Sequence, residues 1–99
     1  MEARTAYLRL SEQLQAELRS SQRELQQARD ALALAEERQR LATETERLLG
    51  KAFGLGEIDL ATRLRTAAER YAADADAIRS RLDAGRAVSR LNQAFGVLP

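Results

Sequence analysis

The chain has 99 residues, enough for one domain at most, and Phe and Tyr together supply only four aromatic side chains, with no Trp. Sixteen basic and fifteen acidic residues are interspersed and give a formal net charge of +1. This argues against a nucleic-acid arm or a polybasic membrane-surface helix, because both need concentrated positive charge. Cys and His are absent, so disulfides are excluded and a zinc or haem site is disfavoured. The Leu, Ala and charged residues that dominate the composition indicate an all-α coiled coil.

The first predicted element is a helix over residues 3–52. This stretch contains no Pro, and no Gly before Gly50, while good helix formers dominate. At 1.5 Å per residue such a helix is roughly 75 Å long. Its apolar residues follow the a/d spacing of a coiled-coil seam at Leu14, Leu18, Leu25, Ala28, Leu32 and Ala35.

Closer to the end of this helix the leucines change phase. Leu34, Leu41 and Leu48 are again seven apart, but two positions out of step with the earlier series. We therefore expect the seam to rotate around the helix near residues 32–35. Glu36 with Arg40, and Glu44 with Arg47, have the spacing of ion pairs on a solvated helix face. These charges predict no functional site.

A short turn over residues 53–58 separates this helix from the next. Gly54 and Gly56, with Gly50 one turn earlier, lack a Cβ and can adopt the left-handed angles that close a helix C-terminus. Asp59 is a candidate N-cap for the following helix. A connection this short makes the two helices antiparallel neighbours. The sequence therefore predicts a long two-helix hairpin.

The second helix is predicted over residues 59–95. Its seam is expected at Leu60, Leu64, Ala67, Tyr71, Ala75, Ile78 and Leu82, and beyond Gly85 at Ala84, Val88, Leu91 and Phe95. Tyr71 is thus interpreted as a seam residue rather than a ligand. Gly85 costs about 1 kcal/mol relative to Ala inside a helix. Either another backbone approaches it or the helix tolerates a weak point.

Two features predict that this hairpin packs against further helices. Folding about Leu55 places Phe95 opposite about residue 16, which leaves the first fifteen or so residues without a partner in the chain. Small seam residues such as Ala28, Ala35, Ala67 and Ala75 bury little area, and the alanines at 31, 33, 68, 72, 73 and 77 are expected to flank the seam. At about 25 cal/mol per Å² such a contact is marginal against chain entropy. We expect helices from other copies, or from the rest of a larger protein, to complete the bundle.

The turn and the chain end carry a family resemblance. The run from Lys51 to Leu60, KAFGLGEIDL, and the final run from Arg90 to Pro99, RLNQAFGVLP, resemble the C-terminal part of the TolC family of outer-membrane efflux proteins, in its heavy-metal (CzcC/CusC-like) branch. The resemblance covers about residues 20–99. It implies that Phe53, Leu55, Gly56 and Glu57 form a periplasmic tip that contacts a periplasmic adaptor protein. Thr62 stands where some family members carry a gating carboxylate, so the resemblance implies no gate here.

The resemblance also implies a cellular setting. The chain would be a hairpin of a trimeric α-barrel channel in the periplasm of a Gram-negative bacterium, part of an outer-membrane protein and coupled through the adaptor to an inner-membrane pump. Self-association would be trimeric in the parent protein, and dimeric or higher for this segment alone. The resemblance implies that the chain is one part of a larger protein and cannot transport anything by itself.

Other functions are weighed beside this one. A cytosolic antiparallel coiled-coil scaffold, dimerising into a four-helix bundle, has the same sequence signature. At the tip, the glycines alone require no more than a helix-helix turn. An enzyme is not expected, because neither Asp74 with Asp76 nor Glu36 with Glu37 shares a helix face in a way that pairs the carboxylates. No cofactor, metal or nucleic acid is predicted.

Overall fold

The computed structural model describes residues 2–97 and contains two helices in that range. Helix α1 spans Glu2–Gly54 and helix α2 spans Leu60–Val97. They lie antiparallel and form a rod with principal extents of 81 × 16 × 14 Å. The long dimension matches 53 residues of α-helix at 1.5 Å each. The predicted all-α hairpin is confirmed, with a connection at residues 55–59.

One face of α1 keeps a single heptad phase from Ser11 to Leu49, and α2 covers this face from about residue 17 onward. Its buried and half-buried residues recur in steps of three and four: Ser11, Leu14, Leu18, Ser21, Leu25, Ala28, Leu32, Ala35, Gln39, Ala42, Glu46 and Leu49. The predicted seam from Leu14 to Ala35 is confirmed. The predicted rotation near residues 32–35 is wrong, because polar residues rather than the leucines continue the repeat.

The face of α2 that meets α1 is built from small residues. Its buried and half-buried positions are Thr62, Arg63, Thr66, Ala67, Ala73, Asp74, Ala77, Ser80, Ala84, Ala87, Leu91 and Ala94. Most of these side chains are small, and small side chains in a helix interface let the two helices approach closely.

The predicted seam of α2 is therefore largely wrong. Leu60, Leu64, Tyr71, Ile78 and Leu82 are between 56% and 75% exposed. Ala75 is exposed as well, but Ala67 is half-buried, as predicted. Ala73 and Ala77, expected to flank the seam, lie in it. Ala84 and Leu91 do belong to the seam, but Val88 and Phe95 do not. Two heptad phases coexist in α2, and the alanine phase faces α1.

Polar residues occupy the seam near the turn. Glu46 lies between Arg63 and Arg70, with N–O distances of 3.5 and 3.3 Å. About two turns further from the tip, the amide of Gln39 donates to Asp74 at 2.9 Å. Such pairs work only when opposite residues are level with each other, so they favour one register of the two helices.

Charged residues on the outer surface pair in a way that partly matches the prediction. Glu44 and Arg47 form the expected ion pair. Arg40, however, pairs with Glu37 at 2.6 Å and not with Glu36. Glu36 instead faces Arg81 of α2 at 3.8 Å, because its position beside the seam places it nearer to the opposite helix.

The N-terminal part of α1 extends beyond the end of α2. Glu24 meets Arg90 at 2.9 Å, so Val97 is level with about residue 17. The overhang is helical and begins at Glu2. Its large apolar side chains are exposed: Tyr7 by 70%, Leu8 by 51% and Leu10 by 55%. The shorter α2 thus leaves about four turns of α1 uncovered.

Candidate functional site

The turn between the helices has the hydrogen bonds of a Schellman motif. The N–H of Glu57 donates to the carbonyl of Ala52 at 2.8 Å, and the N–H of Gly56 donates to the carbonyl of Phe53 at 3.0 Å. Gly56 has a φ of +75°, and among residues 2–97 it is the one residue with a left-handed backbone angle. Gly50 and Gly54 remain helical. The expectation of left-handed angles is thus confirmed for Gly56 alone.

Gly50 does not have the left-handed backbone angle that was predicted for it. A Cβ at this position would lie 3.5 Å from the guanidinium of Arg63, an ordinary van der Waals contact. The packing around Gly50 therefore has space for a methyl group. No atom lies within 4 Å of the Cβ position of Gly85, so no other backbone approaches that glycine among the described residues.

Asp59 begins α2, as predicted. Its Oδ1 accepts the backbone N–H of Thr62 at 2.9 Å, and its carbonyl accepts the first helical hydrogen bond, from Arg63. Hydrogen bonds from the side chain and then the backbone of Thr62 hold the pKa of the Asp59 carboxyl below its ordinary value. A charged carboxylate at a helix N-terminus is favourable.

These two caps fix a tip with apolar side chains on its surface. Leu55 is 74% exposed and Phe53 is 40% exposed. Gly56 and Glu57 are exposed beside them, and Ile58 is half-buried. The four residues predicted as the tip contact thus lie together within one turn. That they bind a partner stays a prediction.

Two further surfaces, which sequence reasoning placed inside the hairpin, lie on its outside. We call Leu34, Leu41 and Leu48 the α1 stripe; they are 52%, 51% and 51% exposed. We call the corresponding set on the second helix the α2 stripe: Leu60, Leu64, Tyr71, Ile78 and Leu82. The signal that locates them is the presence of two apolar repeats on one helix, since a single neighbouring helix can cover only one.

The acidic residues considered for catalysis are each held by a different arginine. Asp74 contacts Arg70 at 3.7 Å, and Asp76 contacts Arg79 at 3.6 Å. Glu36 and Glu37 are likewise divided between Arg81 and Arg40. The arrangement brings no two of these carboxylates to one reacting point.

Within residues 2–97, neither helix has a stretch apolar enough to cross a membrane. The same part of the chain contains no group of three or more acidic residues placed to hold a metal ion.

Comparison with known protein families, curated proteins and solved structures found no match to this chain. Fold and surface together define the class of the molecule as an antiparallel coiled-coil hairpin that exposes most of its large apolar side chains.

Proposed function

We propose that this chain is a structural and interaction element that functions within a larger assembly of helices. The observation that carries the proposal is the location of its large apolar side chains. The core consists of Leu25, Ala35, Ala77 and Ala87, while fifteen large apolar residues within 2–97 are 38% exposed or more. Apolar surface on this scale marks interfaces. We therefore assign the hairpin to binding and not to catalysis.

In its specific form, the proposal is a periplasmic hairpin of an efflux channel of the TolC type. The hairpin would line a trimeric α-barrel, and its tip would meet a periplasmic adaptor protein that links it to an inner-membrane pump. The sequence resemblance at residues 51–60 and 90–99 motivates this form. The exposure of Leu55 and Phe53 supports it, because a turn that only reverses the chain does not need apolar side chains in water.

The tip contact is tested by capture on an immobilised adaptor hairpin, taken from the adaptor encoded beside the parent gene. Leu55→Asp places a charge in the proposed contact and should reduce binding by about tenfold or more, as expected for a buried apolar anchor. Leu10→Asp is the matched control, because Leu10 is also exposed but lies in the overhang at the far end. Equal binding by native chain and Leu55→Asp would remove the tip as the contact.

A second candidate is a cytosolic coiled-coil scaffold that dimerises into a four-helix bundle. The specific observation in its favour is the unbroken heptad seam of α1 from Ser11 to Leu49, since a regular repeat is typical of stand-alone coiled coils. Fractionation of cells that produce the full parent protein separates the two candidates. Recovery with the outer membrane supports the channel, and recovery in the cytosol supports the scaffold.

A further inference from the structure

We propose that copies of this chain associate side by side, with the α1 stripe of one copy packed against the α2 stripe of the next. All tips point the same way. Because the two surfaces that meet are different, we call this heterologous contact the head-to-tail contact. The inference rests on the lateral packing in the proposed function but not on its tip contact. It names the surfaces that meet and their relative orientation.

Two ion pairs between the helices show which residues share a face of the hairpin. Glu24 and Arg90 each precede a seam residue by one position, and their side chains meet at 2.9 Å. Glu36 and Arg81 each follow a seam residue by one position, and they also face each other, at 3.8 Å. Residues with the same offset from the seam therefore share a face of the hairpin, as right-handed antiparallel helices require.

The two stripes have opposite offsets. Each leucine of the α1 stripe precedes a seam residue by one position, the seam residues being Ala35, Ala42 and Leu49. The central residues of the α2 stripe instead follow positions that face α1, with Leu64, Tyr71 and Ile78 after Arg63, Arg70 and Ala77. The stripes thus lie on opposite faces of the rod.

The two stripes also lie at the same height along the rod. The ion pairs Glu36–Arg81 and Glu46–Arg70 place residues 36–46 level with residues 70–81. Leu41, the middle of the α1 stripe, is therefore level with the part of the α2 stripe that contains Tyr71 and Ile78. A second copy moved sideways, without being turned end over end, brings one stripe onto the other. Because the two surfaces differ, the contact repeats and produces a ring or an open array.

The exposed area is large enough for such contacts. A compact protein of 11.0 kDa has an accessible surface of about 5,600 Å², whereas this chain exposes 7595 Å². The excess, roughly 2,000 Å², reflects the elongated shape of the rod, whose long sides carry the two stripes. Stable protein interfaces bury an area of similar size. A two-fold contact between α1 stripes would cover only three leucines and leave the longer α2 stripe in water. The head-to-tail contact uses both stripes.

The test is sedimentation velocity of two charge-matched variants, alone and mixed. Leu41→Glu spoils the α1 stripe and Ile78→Glu spoils the α2 stripe, so each alone should associate at least about tenfold more weakly than the native chain. In an equimolar mixture each variant still offers the intact stripe that the other needs, so the mixture should form heterodimers. Ala72→Glu is the control, because Ala72 is exposed and lies in neither stripe; it should associate like the native chain.

Cross-linking gives an independent measurement in case a variant folds poorly. The chain has no Cys, so Leu41→Cys introduces a single thiol in the α1 stripe. Ala75→Cys introduces one level with it on the opposite face, at an exposed position between Tyr71 and Ile78 of the α2 stripe. A short bis-maleimide should join the two variants in a mixture and join neither variant to itself. Efficient linking of Leu41→Cys to itself would overturn the head-to-tail contact.

The remaining outcomes are equally decisive. A native chain that stays monomeric, a single glutamate variant that associates like the native chain, or a mixture that stays monomeric would each overturn the inference. The tip contact is scored separately with Leu55→Asp, which leaves both stripes intact. Loss of adaptor capture with normal self-association, or the reverse, shows which of the two proposals fails.

Discussion

At the scale of single residues, the turn is held by one glycine and one aspartate whose geometries are specific. Gly56 supplies the left-handed backbone angle that the Schellman motif needs. Gly54, two residues earlier, is an ordinary helical residue with open space around its Cβ position. The two glycines look equivalent in the sequence but respond differently to substitution.

Gly56→Ala should lower the free energy of unfolding by about 1–2 kcal/mol, because a Cβ in the left-handed region clashes with the following carbonyl. Gly54→Ala should raise it by about 0.5–1 kcal/mol, because alanine favours the helix more than glycine does. Urea unfolding followed by circular dichroism measures both. Equal effects of the two substitutions would contradict the assignment of Gly56 as the capping glycine.

Asp59 predicts a specific dependence of stability on pH. Its folded pKa lies below the ordinary value of 3.8 because it accepts hydrogen bonds from Thr62. A carboxyl group whose pKa is lower in the folded state stabilises the fold. This stabilisation is fully present above the unfolded-state pKa and is lost as the pH falls through the folded-state pKa. As the pH is lowered below about 4, the melting temperature of the native chain should therefore decrease more steeply than that of Asp59→Asn. The asparagine keeps a capping oxygen but has no carboxyl group that titrates. Parallel curves for the two proteins would rule out this role.

At the scale of the helices, the choice of seam phase determines which side chains face solvent. Helix α2 carries an alanine-rich repeat and a leucine-rich repeat, and the alanine-rich repeat faces α1. The leucine-rich repeat is left exposed to solvent. Polar pairs in the seam favour one register of the two helices. They are Gln39 with Asp74, and Glu46 with Arg63 and Arg70.

A pair of alanine substitutions tests this phase directly. Ala77 is fully buried in the seam, so Ala77→Leu should overpack it and cost about 1–3 kcal/mol of unfolding free energy. Ala75 is exposed, and Ala75→Leu should change the same free energy by less than about 0.5 kcal/mol. Denaturant titrations at low protein concentration provide the comparison. The opposite order of effects would support the leucine-phase seam.

The elements that the sequence predicts correctly are those determined by local signals. The absence of Pro predicts the long α1, a glycine followed by Asp59 predicts the turn, and a single apolar repeat predicts the seam from Leu14 to Ala35. The phase of α2 is not local. Hydrophobicity alone favours the repeat through Leu64 and Ile78 as the seam. The buried residues are instead Ala77 and Ala87, whose small side chains fit against the leucines of α1. The four predicted tip residues lie within one turn for the same local reason, and that they bind a partner stays a prediction.

At the scale of the whole molecule, the hairpin is a rod with a thin core and apolar residues on both faces, at its tip and along its overhang. Its burial of apolar surface within the chain is small, so we propose that much of the free energy that orders the two long helices comes from contacts with other helices. Stability and assembly are then one equilibrium and respond together to protein concentration.

Thermal unfolding followed by circular dichroism over roughly a hundredfold range of protein concentration tests this coupling most directly. If the hairpin is an assembly unit, its melting temperature rises with concentration and sedimentation equilibrium shows oligomers wherever the helices are formed. A fully helical monomer with a melting temperature that does not change with concentration would contradict it.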